Sequence, residues 1–184
     1  MNDDLFQSVP QGSIGAQDAE NRRLEAIADE LRRCCELYEA QRGDSQSHVT
    51  GTPGPSGNEN DTYVSNDVIF KVNNLLNSGS ILRLFDKVRM HNEIFPDTFY
   101  QLHAFTGFDG RSIMPILRQD LVKDAEPTPQ IAIDTYMAAL GFNREDIVGR
   151  YSNADYIVWD LIPRNVLRDH DGDIFVVDAE IKRK

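Results

Sequence analysis

The sequence has little with which to meet a polyanion: 19 Lys and Arg stand against 30 Asp and Glu, a formal net charge of −11. Nucleic acid and anionic membrane surfaces both need a basic patch, so neither is an expected partner. The one basic cluster, Lys182-Arg183-Lys184, reads as a solvated end. Long apolar runs are also missing. Nothing approaches the roughly 18 apolar residues of a membrane span, and no basic leader precedes an apolar stretch, so the expected location is the cytoplasm. Cysteine is nearly absent: Cys34 and Cys35 are adjacent and cannot join distant segments. They form no ligand spacing with His48, His91, His103 or His170, which argues for reduced thiols and against a zinc site.

What is present is unevenly distributed. Residues 1 to 60 carry eleven acidic and five basic side chains with few large apolar ones, and nearly all aromatics lie beyond them. Residues 1–16 read as a disordered N-terminus. From 17 to 42, Leu24, Ile27, Leu31, Cys34, Cys35 and Tyr38 recur every three to four residues among charges, the pattern of an amphipathic helix. Such a stripe requires cover, from the domain, from a copy of itself or from a partner chain. Residues 43–56, rich in Gly, Pro and Ser, read as a flexible linker, and the folded domain is expected over 57–184.

Within that domain, Thr62 to Ser65 and Val68 to Val72 read as strands joined by the turn pair Asn66-Asp67. Ile81, Leu84, Phe85 and Val88 then repeat at helical spacing, with Ser78 or Ser80 as N-cap and Pro96 closing the end. Phe99 to Phe105 and Ser112 to Arg118 are strands around Gly107-Phe108-Asp109-Gly110. Residues 129 to 140 form a helix stopped by Gly141. Tyr156 to Trp159, Asn165 to Arg168 and Ile174 to Val177 are short strands, the last two joined by the turn Asp169-His170-Asp171-Gly172-Asp173.

Three stretches then carry chemistry. Val68-Ile69-Phe70-Lys71 puts an ammonium on an apolar strand. Asp160-Leu161-Ile162-Pro163-Arg164-Asn165-Val166-Leu167 is a polar loop leading into a strand, and Ile174-Phe175-Val176-Val177-Asp178 ends a hydrophobic strand on a carboxylate. Singly, Asp160 and Asn165 are turn residues, Asp178 a strand terminator and Lys71 a surface strand residue. As an ordered set they resemble protein kinases: the catalytic loop D-L-K-P-E-N-x-L, the metal-binding Asp beyond it and the V-A-I-K strand.

The resemblance implies ATP and Mg²⁺ as ligands. Lys71 would meet the phosphates, Glu93 in the following helix would be its ion-pair partner, Asn165 and Asp178 would offer oxygens to Mg²⁺, and Asp160 would accept the proton of a substrate hydroxyl. Gln119 and Asp120 fall where a kinase hinge presents backbone groups to adenine, and the Gly57 turn is the candidate cover for phosphate. A closer resemblance is to the small kinase-like domain of polyvalent proteins of phages and mobile elements. It rests on Phe70-Lys71-Val72-Asn73-Asn74-Leu75, His91-Asn92-Glu93-Ile94-Phe95-Pro96, Gly141-Phe142 and the stretch from Asp160 to Asp178. It implies an α+β, truncated protein-kinase-like fold: a small sheet with one long helix, and a minimal second lobe whose β-hairpin binds metal. The implied activity is transfer of phosphate from ATP to a Ser, Thr or Tyr hydroxyl of an unknown protein substrate.

The sequence departs from the kinase pattern in four places. No G-x-G-x-x-G lies between two strands, Val158-Trp159 replaces His-Arg before Asp160, and Ala179-Glu180 replaces Phe-Gly after Asp178. Six residues follow Asp178, too few for the helices that bind peptide in ordinary kinases. Either another chain docks the substrate, or the domain binds nucleotide without transfer.

Overall fold

The computed structural model describes residues 51–107 and 113–184, with Arg22, Glu25, Asp29, Arg32, Arg33, Glu36, Leu37 and Ala40. Strands β1 (Thr52–Pro53), β2 (Asn60–Ser65), β3 (Val68–Asn73), β4 (Gln101–Thr106) and β5 (Met114–Asp120) form one antiparallel sheet, ordered β1-β2-β3-β5-β4. The β2–β3 hairpin turns at Asn66-Asp67, as expected. Asn66 takes φ 54°, a left-handed conformation that Asn tolerates better than most residues. Residues 108–112, including most of the turn expected between β4 and β5, lie outside the described residues.

Helix α1 (Ile81–Ile94) connects β3 to β4. Ser80 caps it by accepting a hydrogen bond from Arg83 N, and Pro96 opens the 3-10 turn beyond it. Leu84, Phe85 and Val88 pack against Tyr100, Leu102, Phe105 and Leu117 of the sheet side. The C-terminal end of the same helix serves a second core, in which Met90 and Phe95 meet Ile133, Met137, Tyr151 and Val158. One helix therefore joins two of the apolar clusters; a third, Phe70, Val72, Ala104 and Ile116, lies within the sheet.

Of the amphipathic helix expected over 17–42, the described residues are helical and Leu37 lies half-buried against the first cluster. Leu24, Ile27, Leu31, Cys34, Cys35 and Tyr38 lie outside the described residues, as do residues 1–21 and 41–50. The domain edge starts earlier than the patterning suggested. Within the stretch expected to be linker, Thr52 and Pro53 pair with Val64 and Tyr63, Gly54 N donates to Thr62 O, and Thr62 Oγ1 donates to Pro55 O. Gly51 permits this approach: its φ is 131°, and a Cβ there would fall on the Val64 carbonyl.

The remainder is a second, mixed unit. Strand β6 (Glu126–Pro127) precedes helix α2 (Gln130–Ala139), whose Ile133 and Met137 are fully buried. Gly141, at φ 82°, ends α2 as expected, with Phe142 N returning to Met137 O. Then follow β7 (Asn143–Arg144), β8 (Tyr151–Ser152), β9 (Tyr156–Trp159), β10 (Val166–Arg168), β11 (Ile174–Val176) and β12 (Glu180–Arg183). They form two antiparallel sheets, β11-β10-β6 and β12-β9-β8-β7.

The basic end is exposed at Lys182, Arg183 and Lys184, as expected, yet it is not a free tail. Lys182 and Arg183 belong to β12, which pairs with β9, buries Ile181 and sets Arg183 over the Tyr156 ring. Four residues with one apolar member are too short for a visible alternation, so they read from sequence as a solvated tail. Among the described residues no helix is long and apolar enough to cross a membrane.

Candidate functional site

Lys71 sits in the middle of β3 with its side chain turned inward, 6% exposed. Its ammonium donates to Tyr100 OH and to the Val177 carbonyl, each at 2.7 Å, and lies 4.8 Å from the centre of the Tyr100 ring. Tyr100 OH itself donates to Val177 O at 2.7 Å. Burial pushes the Lys71 pKa down; the carboxylate of Asp178 opposes this and the ammonium of Lys87 adds to it. Lys71, Asn73, Lys87, His91, Tyr100 and Asp178 line one cleft between sheet and helix.

On the other side, Asp160 follows β9 directly and takes φ 63°. The turn is set by Gly149, whose carbonyl accepts from Leu161 N at 3.1 Å. Gly149 has φ 74°, and a Cβ on it would come within 2.8 Å of Leu161 O, so a side chain would push the loop away. Asn165 Nδ2 donates to both the carbonyl and the carboxylate of Asp160, at 2.8 Å each. Asn165 O accepts from Val177 N and Asp178 N, at 2.9 and 3.3 Å. The ladder between β9 and β12 tightens this further, because Trp159, just before Asp160, is the register partner of Glu180, two residues after Asp178. Asp160, Asn165 and Asp178 are thus brought together by backbone bonding.

The chemistry of these donors fits a magnesium ion. With Nδ2 engaged by Asp160, Asn165 has its Oδ1 left to offer, and the Asp178 carboxylate makes no hydrogen bond among the described residues. Hard oxygen donors of this kind suit Mg²⁺. The cationic Lys71 in the adjoining cleft suits phosphate.

The structure does not join Lys71 to Glu93. Glu93 is exposed on the far side of α1, where it accepts from Tyr156 OH at 2.8 Å and lies 3.6 Å from Arg183. The cationic helix residue that faces the cleft is Lys87. Its ammonium lies 2.7 Å from Glu180 and 3.2 Å from Glu59. Burial works against the charge on Lys87, yet Asp178, Glu180 and Glu59 together raise its pKa. Burial would likewise raise Glu59, but Lys87 and Ser78 outweigh it and hold the carboxyl below its ordinary value. His91, one turn beyond Lys87, is pushed down to about 3 by burial and by the Lys71 charge. Its Nε2 is near Thr98 O and Oγ1, while its buried Nδ1 has no hydrogen-bond partner among the described residues.

The other expected contact residues are dispersed. Gly57 is exposed in a turn closed by its N–H donating to Asn60 O. Gln119 is buried at the end of β5, donating through Nε2 to Thr98 O, and Asp120 is exposed near Arg118. Both run past Arg118, the last β5 residue paired with β4, while remaining paired to β3.

Sequence reasoning missed Tyr100, Lys87, Glu59 and Glu180. Lys87 alone left a signal: it falls between Leu84 and His91 on the inward face of α1, where a charge needs partners.

A mixed α+β fold of three antiparallel sheets with helices α1 and α2 is consistent with a small kinase-like domain. The chain belongs to the Kinase-PolyVal family, described as Serine/Threonine/Tyrosine Kinase found in polyvalent proteins, which matches residues 17–184. That span takes in the helical residues ahead of the sheet. Neither a curated protein nor a solved structure matches the chain.

Proposed function

We propose that the chain binds Mg·ATP in the cleft at Lys71 and transfers its terminal phosphate to a protein hydroxyl. The supporting observation is the convergence of Asp160, Asn165 and Asp178 through the Asn165 carbonyl and amide. Asn165 and Asp178 would hold the metal, which would supply charge neutralisation on the transferring phosphate. Lys71 leaves the Val177 carbonyl to meet phosphate oxygens. Asp160 takes the proton of the incoming hydroxyl as its oxygen bonds to phosphorus and the bond to the bridging oxygen of ADP breaks. The Gly57 turn covers the phosphates, and Gln119 and Asp120 offer backbone groups to the base. Glu93, as placed, has no part in orienting Lys71.

One observation favours a second reading, a nucleotide-binding module without transfer. Among the described residues the Lys71 ammonium has only neutral hydrogen-bond partners, and the lysine–carboxylate pair of active kinases is not formed with any of them.

Thermal shift with ATP, with and without Mg²⁺, tests binding. A ligand at about a hundred times its Kd stabilises a fold by roughly 2.7 kcal/mol. Asp178→Asn abolishes the Mg²⁺ dependence of that shift, and Lys71→Met weakens the shift itself. Asp160→Asn leaves binding intact and removes phosphorylation, read with labelled ATP. Transfer-free binding by the parent selects the module, and absence of any shift defeats both readings.

A further inference from the structure

Three segments that belong to different parts of the chain meet at one ammonium. Glu59 precedes β2, Lys87 lies in α1, and Glu180 opens β12 two residues after Asp178. Glu59 is 5% exposed, and its second oxygen accepts from Ser78 Oγ at 2.7 Å, which fixes the carboxylate ahead of the helix. Lys87 Nζ is the sole hydrogen-bonding tie recorded among the described residues between α1 and Glu180. The net contribution of such an ion pair to stability is small, and its geometry can instead specify an arrangement. Here the arrangement specified is the position of the segment between β11 and β12 that carries Asp178.

We propose that Lys87 is the positioning residue for Asp178, acting through Glu180 and Glu59. The polarity is the reverse of a strand lysine held by a helix carboxylate: the helix supplies the cation, and the strand after the metal-binding aspartate supplies the anion. This tie adds an ionic hold on Glu180 to the hydrogen bonds that Lys71, Tyr100 and Asn165 make to residues 177 and 178. Glu59 extends the same tie to the segment that bears the Gly57 turn, so the phosphate cover and Asp178 are referred to one point on α1. Lys87 acts on Asp178 through the two carboxylates that its ammonium meets.

The consequence for metal use rests on the proposed Mg·ATP binding; the seating of the strand does not. The test therefore has two readouts on the full chain. The first is hydrogen exchange at residues 177–180 without nucleotide. The second is ATP affinity by calorimetry in Mg²⁺ and in EDTA. Lys87→Met should raise exchange across 177–180 at least tenfold and reduce the ratio of the two affinities about tenfold. Lys87→Arg, which keeps the charge, should restore both. Because Lys87→Met leaves the buried Glu59 and the half-buried Glu180 without their cation, Glu180→Gln is the milder companion: it keeps the Lys87–Glu59 pair and should still raise exchange at 177–180.

Parental exchange at 177–180 in Glu180→Gln and, where it folds, Lys87→Met overturns the proposal. So does raised exchange with an unchanged affinity ratio. Raised exchange in a chain whose parent binds no Mg·ATP supports the seating role and removes the proposed function alone.

Discussion

Lys71 and Glu59 are 6% and 5% exposed, whereas Asp160 on the loop side of the cleft is exposed and Asn165 and Asp178 are half-buried. The sheet side is a packed arrangement of charges, each drawn from water and each held by a partner. The loop side is held by backbone hydrogen bonds and one amide. Desolvated charge penalises any change that strands a partner, while solvated carboxylates can be altered at little cost to folding. Stability and chemistry are therefore concentrated on opposite sides of one cleft.

The sharpest way to break that contrast is Glu59→Ala. It strands Lys87 with Glu180 alone and removes the acceptor for Ser78 N and Oγ. The expected loss is about 3 kcal/mol in urea denaturation, as for one partner of a buried pair. A loss below about 0.5 kcal/mol would place Glu59 with ordinary surface carboxylates.

Acid should act on the same side. The His91 pKa is lowered to about 3, first by burial and then by Lys71. Between pH 6.5 and about 3 the unfolded chain holds a proton that the folded chain does not. Stability therefore rises with pH across that window and is lost as pH falls, by at most about 1.4 kcal/mol per pH unit. Urea midpoints from pH 7.5 to 5 should follow this slope in the parent and flatten in His91→Gln. An equal slope in both would assign acid sensitivity elsewhere.

The loop side should respond less. Gly149→Ala forces a Cβ toward Leu161 O at positive φ and should cost about 1–2 kcal/mol by thermal or urea unfolding, because only one turn must give. Asp160→Asn should be the mildest, within about 0.5 kcal/mol of the parent by the same measurement, since its side chain is exposed and the amide can still meet Asn165. A large loss there would mean that the loop carries folding energy as well.

The elements readable in advance were those with enough residues to show a period and a turn residue to punctuate it. The β2–β3 hairpin, α1 with its Ser80 cap, α2 before Gly141 and the β10–β11 hairpin all qualify. Strands β1, β6, β7 and β8 are two residues long and leave no period. They exist because neighbours present an edge, which is tertiary information. The site divides likewise. Spacing carried Asp160, Asn165 and Asp178, because a short loop and hairpin keep them local. The partners of Lys71 and Lys87 come from as far as Val177 and Glu180, 106 and 93 residues away, and no local rule connects them. Glu93 misled because it is the only Glu in α1; Lys87, not Glu93, shares the inward face with Leu84 and His91.

The pairing of Trp159 with Glu180 has a consequence for how the sequence can vary. Asp160 and Asp178 adjoin the same end of one antiparallel ladder, so register rather than chain length governs their spacing. The β10–β11 hairpin between them is an excursion whose tip, at Asp171-Gly172, is exposed and carries no ladder pair. A few residues inserted there leave both carboxylates in register, whereas a two-residue slip of β12 along β9 displaces one relative to the other by about 7 Å. The tip is thus a natural place to attach a reporter, and the ladder is the ruler that length changes elsewhere leave intact.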